Sequence, residues 1–135
     1  MPGFIARADI EVDASAEKVW STITDHASDV NFGADVESDW KPGSPVVWRG
    51  EWEGKPFEDR GEVVEAVAPH RLVLTHVSGD AGEAPLHRLT YELSGSGAGT
   101  HVEFWQDGNA TEGAASESEK NWRRHLEAVK ERAEQ

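Results

Sequence analysis

The sequence predicts an α+β fold, in which a curved antiparallel sheet of about six to seven strands supports a long helix at the C-terminus. Three observations lead to this prediction. Short segments between residues 4 and 106 alternate apolar and polar side chains, as half-buried strands do. Turns rich in glycine and proline separate these segments. The chain from Ser116 to Gln135 instead places apolar residues at helical spacing.

The first predicted strand runs from Phe4 to Val12, with its even-numbered residues facing the core. Ser15 then has the character of an N-cap and starts a short helix over about 16–24. The polar residues 25–33 fit either a loop or a second short helix. We therefore expect one or two short helices after the first strand.

Six further segments have strand character. Asp35, Glu37 and Asp39 alternate with less polar residues, and they lack the glycine and glutamate that an EF-hand calcium loop requires at its sixth and twelfth positions. This alternation favours a strand with a solvated acidic face. The predicted strands cover 35–40, 46–52, 61–68, 71–77, 87–93 and 100–106.

The final helix is amphipathic. Ser116 and Glu119 have the spacing of a capping box, which predicts that the helix begins there. Its apolar face needs a broad apolar surface to lie on, which a curved sheet supplies. That face consists of Trp122, Leu126, Val129 and Ala133.

Length and composition restrict the class of protein. The 135 residues fit one domain, 1–135. With 13 basic and 26 acidic residues the net charge is −13, which repels phosphate backbones and anionic lipids and argues against nucleic-acid partners. There are no cysteines for disulfides or thiolate metal sites. No segment approaches the ~20 apolar residues that span a bilayer, so we expect a cytoplasmic protein without membrane insertion.

Several motifs along the chain resemble motifs of the START-like helix-grip superfamily, also called SRPBCC, and they occur in the same order as in that superfamily. Within it they are most similar to the branch related to the activator of the 90-kDa heat-shock-protein ATPase. The resemblance covers nearly the whole chain and implies a sheet wrapped around the last helix with a cavity between them. The matching residues are Ala-Glu-Lys-Val-Trp at 16–20 with Thr24-Asp25, Pro-Gly-Ser at 42–44, Gly-Glu-Val-Val-Glu at 61–65, Pro-His-Arg-Leu at 69–72, Thr100, and Trp122, Leu126 and Val129.

Strand parity and the resemblance together give candidate ligand-binding residues on the sheet face that meets the helix. Apolar residues there also serve as ordinary core. Trp48, His76 and Tyr91 add polar tips to an apolar wall, as small-molecule pockets do. The candidates are Trp48, Trp52, Leu74, His76, Tyr91, Phe104, Trp122 and Leu126.

Metal and catalytic chemistry have weaker support. The six histidines form no i, i+4 helical pair and no HExxH motif, and His76 and His87 could face each other across a hairpin without a third ligand. We therefore predict no metal and no cofactor. No GxSxG motif indicates a serine nucleophile. An acid–base site built from Tyr91, His76 and a carboxylate such as Asp107 is the remaining catalytic alternative, and no catalytic residue is assigned.

Relatives in the superfamily include lipid carriers, hormone receptors, polyketide cyclases and chaperone activators, so the fold leaves several functions open. The favoured hypothesis is non-enzymatic binding of a hydrophobic or aromatic small molecule, lipid-like or polyketide-like, between sheet and helix. The alternative is a co-chaperone-like domain that stimulates a heat-shock-protein ATPase through the acidic sheet exterior. A cyclase-like enzyme is the weaker alternative. Trp105, expected to be exposed opposite Phe104, fits either a dimer contact or a place under a loop, so both monomer and homodimer remain open.

Overall fold

Seven strands, two α-helices and one 3₁₀ helix follow one another in the described part of the computed structural model. It describes residues 4–31, 33–52, 54–77, 87–96, 99–109 and 111–135, without the side chains of Trp52 and Ser96. The elements are β1 (Phe4–Val12), α1 (Ala16–Ile23), the 3₁₀ helix (Ala27–Asp29), β2 (Asp35–Glu37), β3 (Pro45–Trp52), β4 (Lys55–Val67), β5 (Arg71–His76), β6 (His87–Ser96), β7 (Gly99–Asn109) and α2 (Glu112–Ala133).

The strands form one curved sheet in the order β1-β7-β6-β5-β4-β3-β2, and every neighbouring pair is antiparallel. The sheet and the long C-terminal helix confirm the predicted fold class. β4 is longer than predicted because it pairs with β3 through its first half and with β5 through its second. Gly61 lies where β4 changes partner, and a Cβ there would stand 1.8 Å from the carbonyl oxygen of Thr75. Glycine therefore allows the two backbones to approach each other at this point.

α2 lies along the sheet and covers the free edge of β1. The Glu119 carboxylate accepts a hydrogen bond from the backbone N–H of Arg7 (3.1 Å), and the Glu134 carboxylate accepts one from Asp13 (2.7 Å). Lys130 Nζ donates to the carbonyl oxygen of Glu11 (3.0 Å). Edge strands otherwise present unpaired backbone groups, so these side chains both hold the helix and close the sheet edge.

The apolar face of α2 packs into the core as predicted. Leu126, Val129 and Ala133 are fully buried there. Neither α-helix of the described chain is long and apolar enough to cross a membrane. The sheet and α1 complete this core with Ala8, Val12, Val19, Ile23, Val46, Val63, Leu72, Leu74, Leu89, Tyr91, Leu93, Val102 and Phe104.

The Ser15 cap is confirmed, since its Oγ accepts from Lys18 N (3.2 Å), but the start of α2 differs from the prediction. α2 begins at Glu112, and its N-cap is Thr111, whose Oγ1 accepts from Ala114 N (3.0 Å). Ser116 is an exposed residue within the helix. Residues 112–115 contain no large apolar side chain, so the apolar periodicity did not reveal the first turn.

Two further details differ. The predicted strand over 35–40 is strand only as far as Glu37, where its pairing with β3 ends, and Trp40 adopts a positive φ of 60°, outside the β region. The acidic residues of this segment are solvent-exposed, as predicted. Phe4, expected in the core, is 49% exposed, because the register between β1 and β7 shifts between Phe4 and Ala6. Trp105 is half-buried rather than exposed.

Candidate functional site

A cavity of about 340 Å³ lies between the sheet and the middle of α2. Its walls are mainly aromatic and aliphatic: Trp48 from β3, Phe57 from β4, Leu89 from β6 and Trp122 from α2. Small-molecule sites typically occupy ~300–1,000 Å³ and combine apolar walls with a few polar groups. The polar groups here are Asn31, Glu51, Asp59, His76, Asn121 and Arg124.

The sheet register brings these residues together. Trp48 lies directly opposite Asp59 in the β3–β4 pair. His76 on β5 lies opposite His87 on β6. His87 is two residues from Leu89 along β6, so His76, His87 and Leu89 are on the same face of the sheet. The expected facing pair of His76 and His87 is confirmed, with ring centroids 6.3 Å apart. No group of histidine and carboxylate side chains within the described ranges has the arrangement of a metal site.

The predicted ligand-binding residues occupy different depths. Trp48, His76 and Trp122 line the cavity, whereas Leu74 and Tyr91 line a space of about 10 Å³ behind Trp48 and Trp122. Trp52 belongs to β3, but its side chain lies outside the described part of the structure.

Phe104 and Leu126 are core residues of the packed interior. The Phe104 ring supports the cavity wall from behind, with its centroid 4.3 Å from that of Trp122. The same ring also meets Tyr91 edge-on at 4.9 Å.

His76 forms a carboxylate–imidazole pair at the cavity. Its Nε2 lies 3.0 Å from Oδ2 of Asp59, and the two side chains are 20% and 22% exposed. Burial lowers the pKa of His76, although the Asp59 carboxylate opposes this effect. A carboxylate only accepts, so Nε2 carries the proton and donates, and Nδ1 of the neutral ring is an acceptor. Among the described residues, this buried Nδ1 has no hydrogen-bond partner.

His125 is a functional candidate that the sequence analysis missed. Its Nδ1 lies 2.7 Å from the carbonyl oxygen of Val30, and its Nε2 lies 2.8 Å from the hydroxyl of Tyr91. The carbonyl can only accept, so Nδ1 carries the proton. Burial lowers the pKa of His125 to about 4, which leaves Nε2 to accept from Tyr91 at neutral pH. The position of His125 on the apolar face, three residues after Trp122, was the available signal.

The conceivable acid–base group of Tyr91, His76 and Asp107 is not assembled. Tyr91 bonds to His125, His76 bonds to Asp59, and Oδ1 of Asp107 accepts from the backbone N–H of Arg88 at 2.7 Å. Burial also raises the pKa of the Tyr91 phenol, which moves it further from neutral pH and away from proton exchange. Each of the three side chains forms a hydrogen bond with a residue of another strand or helix, and strand parity alone does not predict these hydrogen bonds.

Comparisons with known proteins agree with the fold. The sequence model of the family described as "Activator of Hsp90 ATPase homolog 1-like protein" matches residues 13–134, and the chain belongs to this family. The predicted superfamily and branch are therefore confirmed. No curated protein matches the chain.

Solved structures show the same fold. The solution structure of ChR145 from Cytophaga hutchinsonii is similar at 36% identity and a TM-score of 0.82, over 97% of this chain and 94% of that one. The solution structure of the Aha1 dimer from Colwellia psychrerythraea is 17% identical with a TM-score of 0.75, over 97% and 96% of the two chains. CalU16 from Micromonospora echinospora is 18% identical with a TM-score of 0.74, over 98% and 86%.

Proposed function

We propose that this protein binds a small hydrophobic, aromatic molecule in the cavity between the sheet and α2, without transforming it. The observation that carries the proposal is the cavity of about 340 Å³ whose walls include Trp48, Phe57 and Trp122. Aromatic side chains favour ring-containing ligands, which they contact face-on or edge-on. The volume lies near the lower end of the range for small-molecule sites, which favours a compact ring system over a long acyl chain.

The hydrogen-bonding of the interior supports binding rather than turnover. Tyr91 donates to His125, and burial moves the pKa values of both groups away from neutrality. A general acid or base works best when its pKa lies near the working pH. Tyr91 and His125 are therefore better suited to holding the wall of the cavity than to exchanging protons with a ligand.

Ligand titrations test this proposal. A panel of aromatic metabolites and lipids is titrated into the protein, and tryptophan fluorescence and indole NMR signals are recorded. We expect a binder to shift the Trp48 and Trp122 signals, and Phe57→Ala to weaken binding about tenfold, or about 1.4 kcal/mol. Trp105→Ala is the matched control, because Trp105 lies outside the cavity lining. A panel without any response, or a Phe57→Ala protein that binds like the wild type, contradicts the proposal.

Family membership favours a second candidate, a co-chaperone-like interaction with a heat-shock-protein ATPase. The strongly acidic chain, with a net charge of −13, would then meet a basic surface of the partner. A pull-down combined with an ATPase assay tests this candidate, at low and at raised salt. Stimulation that decreases with salt supports it, whereas neither binding nor stimulation removes it.

A further inference from the structure

One buried acceptor in the cavity lining is unsatisfied. Nδ1 of His76 exposes less than 1 Å² and has no hydrogen-bond partner among the described residues. Leaving a buried polar atom unpaired costs about 1–3 kcal/mol, so such atoms are rare in folded proteins and call for an explanation. The Asp59 carboxylate fixes the ring by accepting from Nε2, so the unpaired nitrogen is the one with the lone pair.

The surroundings of the ring are mainly aromatic. The Trp48 ring stands edge-on to His76, with centroids 4.9 Å apart and an interplanar angle of 78°. Both rings line the cavity, and Phe57 and Trp122 line it with them. A ligand in the cavity therefore meets aromatic surface on several sides and a single oriented imidazole.

We propose that the ligand of this cavity is an aromatic molecule with a neutral hydroxyl group, a phenol in the simplest case, which donates a hydrogen bond to Nδ1 of His76. This inference rests on the proposed small-molecule function and specifies its ligand. Because Nδ1 is almost fully covered, the bond requires a small movement of the His76 and Trp48 rings when the ligand enters. The ligand hydroxyl then satisfies the acceptor that the fold leaves unpaired.

The charges at the cavity favour a neutral donor over ionised groups. A ligand carboxylate offers no proton to Nδ1, and Glu51 and Asp59, which line the cavity together with Arg124 as the single cation among the described lining residues, would repel it. An ammonium group would lose its hydration against aromatic walls, which costs more than burying a hydroxyl. A phenolic hydroxyl supplies the proton at a smaller desolvation cost.

Three probes of nearly equal shape test the inference: naphthol, its methyl ether and naphthalene. Only naphthol has a hydroxyl donor. Dissociation constants are measured for the wild-type protein, for His76→Leu and for His87→Leu. His87 is the matched control, because it pairs with His76 across the β5–β6 register but is not part of the cavity lining. Circular dichroism and thermal unfolding verify that each variant is folded.

We expect the wild type to bind naphthol about tenfold more tightly than the methyl ether. The ratio of the dissociation constants of the methyl ether and naphthol should fall to about one in His76→Leu, whereas it should stay near the wild-type value in His87→Leu. Equal binding of the three probes to the wild type, or a preference that survives His76→Leu, overturns the inference and leaves the proposed function intact. If the wild type binds none of the three probes, both the inference and the proposed function are overturned for ligands of this size.

A second measurement uses only the wild-type protein and therefore does not require that a variant folds. Nitrogen NMR of histidine-labelled wild-type protein should show Nδ1 of His76 as an unprotonated nitrogen. Its resonance should move when naphthol is added, and much less with the methyl ether. A protonated Nδ1 in the free protein, or the same shift with both probes, overturns the inference.

Discussion

Lowering the pH from 7 to 4 is predicted to destabilise the protein through one buried side chain, His125. The ring donates from Nδ1 to the carbonyl oxygen of Val30 and accepts at Nε2 from Tyr91. Protonation would place a second N–H at Nε2, facing the Tyr91 hydroxyl, and would bury a positive charge. Tyr91, which is in hydrogen-bond contact with the ring, is neutral throughout this pH range, because the ordinary pKa of a phenol is already well above 7 and burial raises it further.

The magnitude follows from linkage between protonation and folding. Burial lowers the pKa of His125 from 6.5 to about 4 in the folded protein, so the unfolded chain binds the proton first as the pH falls. The contribution of neutral His125 is complete above pH 6.5 and is lost progressively down to about pH 4. A shift of this size corresponds to about 3 kcal/mol at 1.36 kcal/mol per pKa unit. Many domains have only ~5–15 kcal/mol of stability in total, so the effect is measurable.

Urea unfolding at several pH values between 7 and 4 measures this contribution. The wild type is compared with His125→Gln, which keeps a polar side chain but does not titrate in this range. Carboxylates and the other histidines titrate in both proteins, so their effects largely cancel in the difference. The exposed histidine variant His70→Gln is the matched control and should follow the wild type.

The result that refutes this reasoning is a wild type and a His125→Gln protein whose stabilities fall in parallel, with a difference that changes by less than about 1 kcal/mol between pH 7 and pH 4. A directly measured pKa of His125 near 6.5 would refute it equally. The wild type should instead lose its advantage over the variant as the pH approaches 4.

Three further substitutions test the packing that supports the cavity. Leu126→Ala should lower the free energy of unfolding by about 2–5 kcal/mol, because the side chain is fully buried; circular dichroism in urea measures this, and a loss below 1 kcal/mol would contradict the assigned burial. Gly61→Ala should destabilise by about 1–3 kcal/mol, because its Cβ would collide with the carbonyl oxygen of Thr75; Gly95→Ala, with no neighbouring atom in contact range, is the control. Tyr91→Phe removes the donor to His125 Nε2 and should cost about 1–3 kcal/mol at pH 7; equal stability of the two proteins would argue against the bond.

Local sequence patterns predicted most of the fold. The alternation of apolar and polar residues located the strands, and the spacing of Leu126, Val129 and Ala133 located the helix that packs on them, because side-chain period depends on backbone geometry alone. The Ser15 cap followed for the same reason, since its hydrogen bond closes within three residues. The start of α2 was wrong because Thr111 caps a first turn without apolar periodicity.

The sequence predicted several residues that line the candidate site, but only some of the contacts between their side chains. Strand parity and the family resemblance together placed Trp48 and His76 on the inner face, and the β5–β6 register confirmed the His76–His87 pair. The partner of His76, Asp59, is seventeen residues away on another strand, at a spacing that matches no local period. His125 was counted as one histidine among six, although it bonds to Tyr91 across thirty-four residues.

The sequence by itself determined the sheet, the long helix, the face each strand turns inward and the family resemblance, because periodicity and capping act over a few residues. Only the tertiary structure decided which polar groups meet: Asp59 with His76, Tyr91 with His125, and the acidic side chains of α2 with the edge of β1. These contacts depend on strand register and on where the helix lies across the sheet. Both are set by the packing of the whole core, and so is the volume left open beside Trp48 and Trp122.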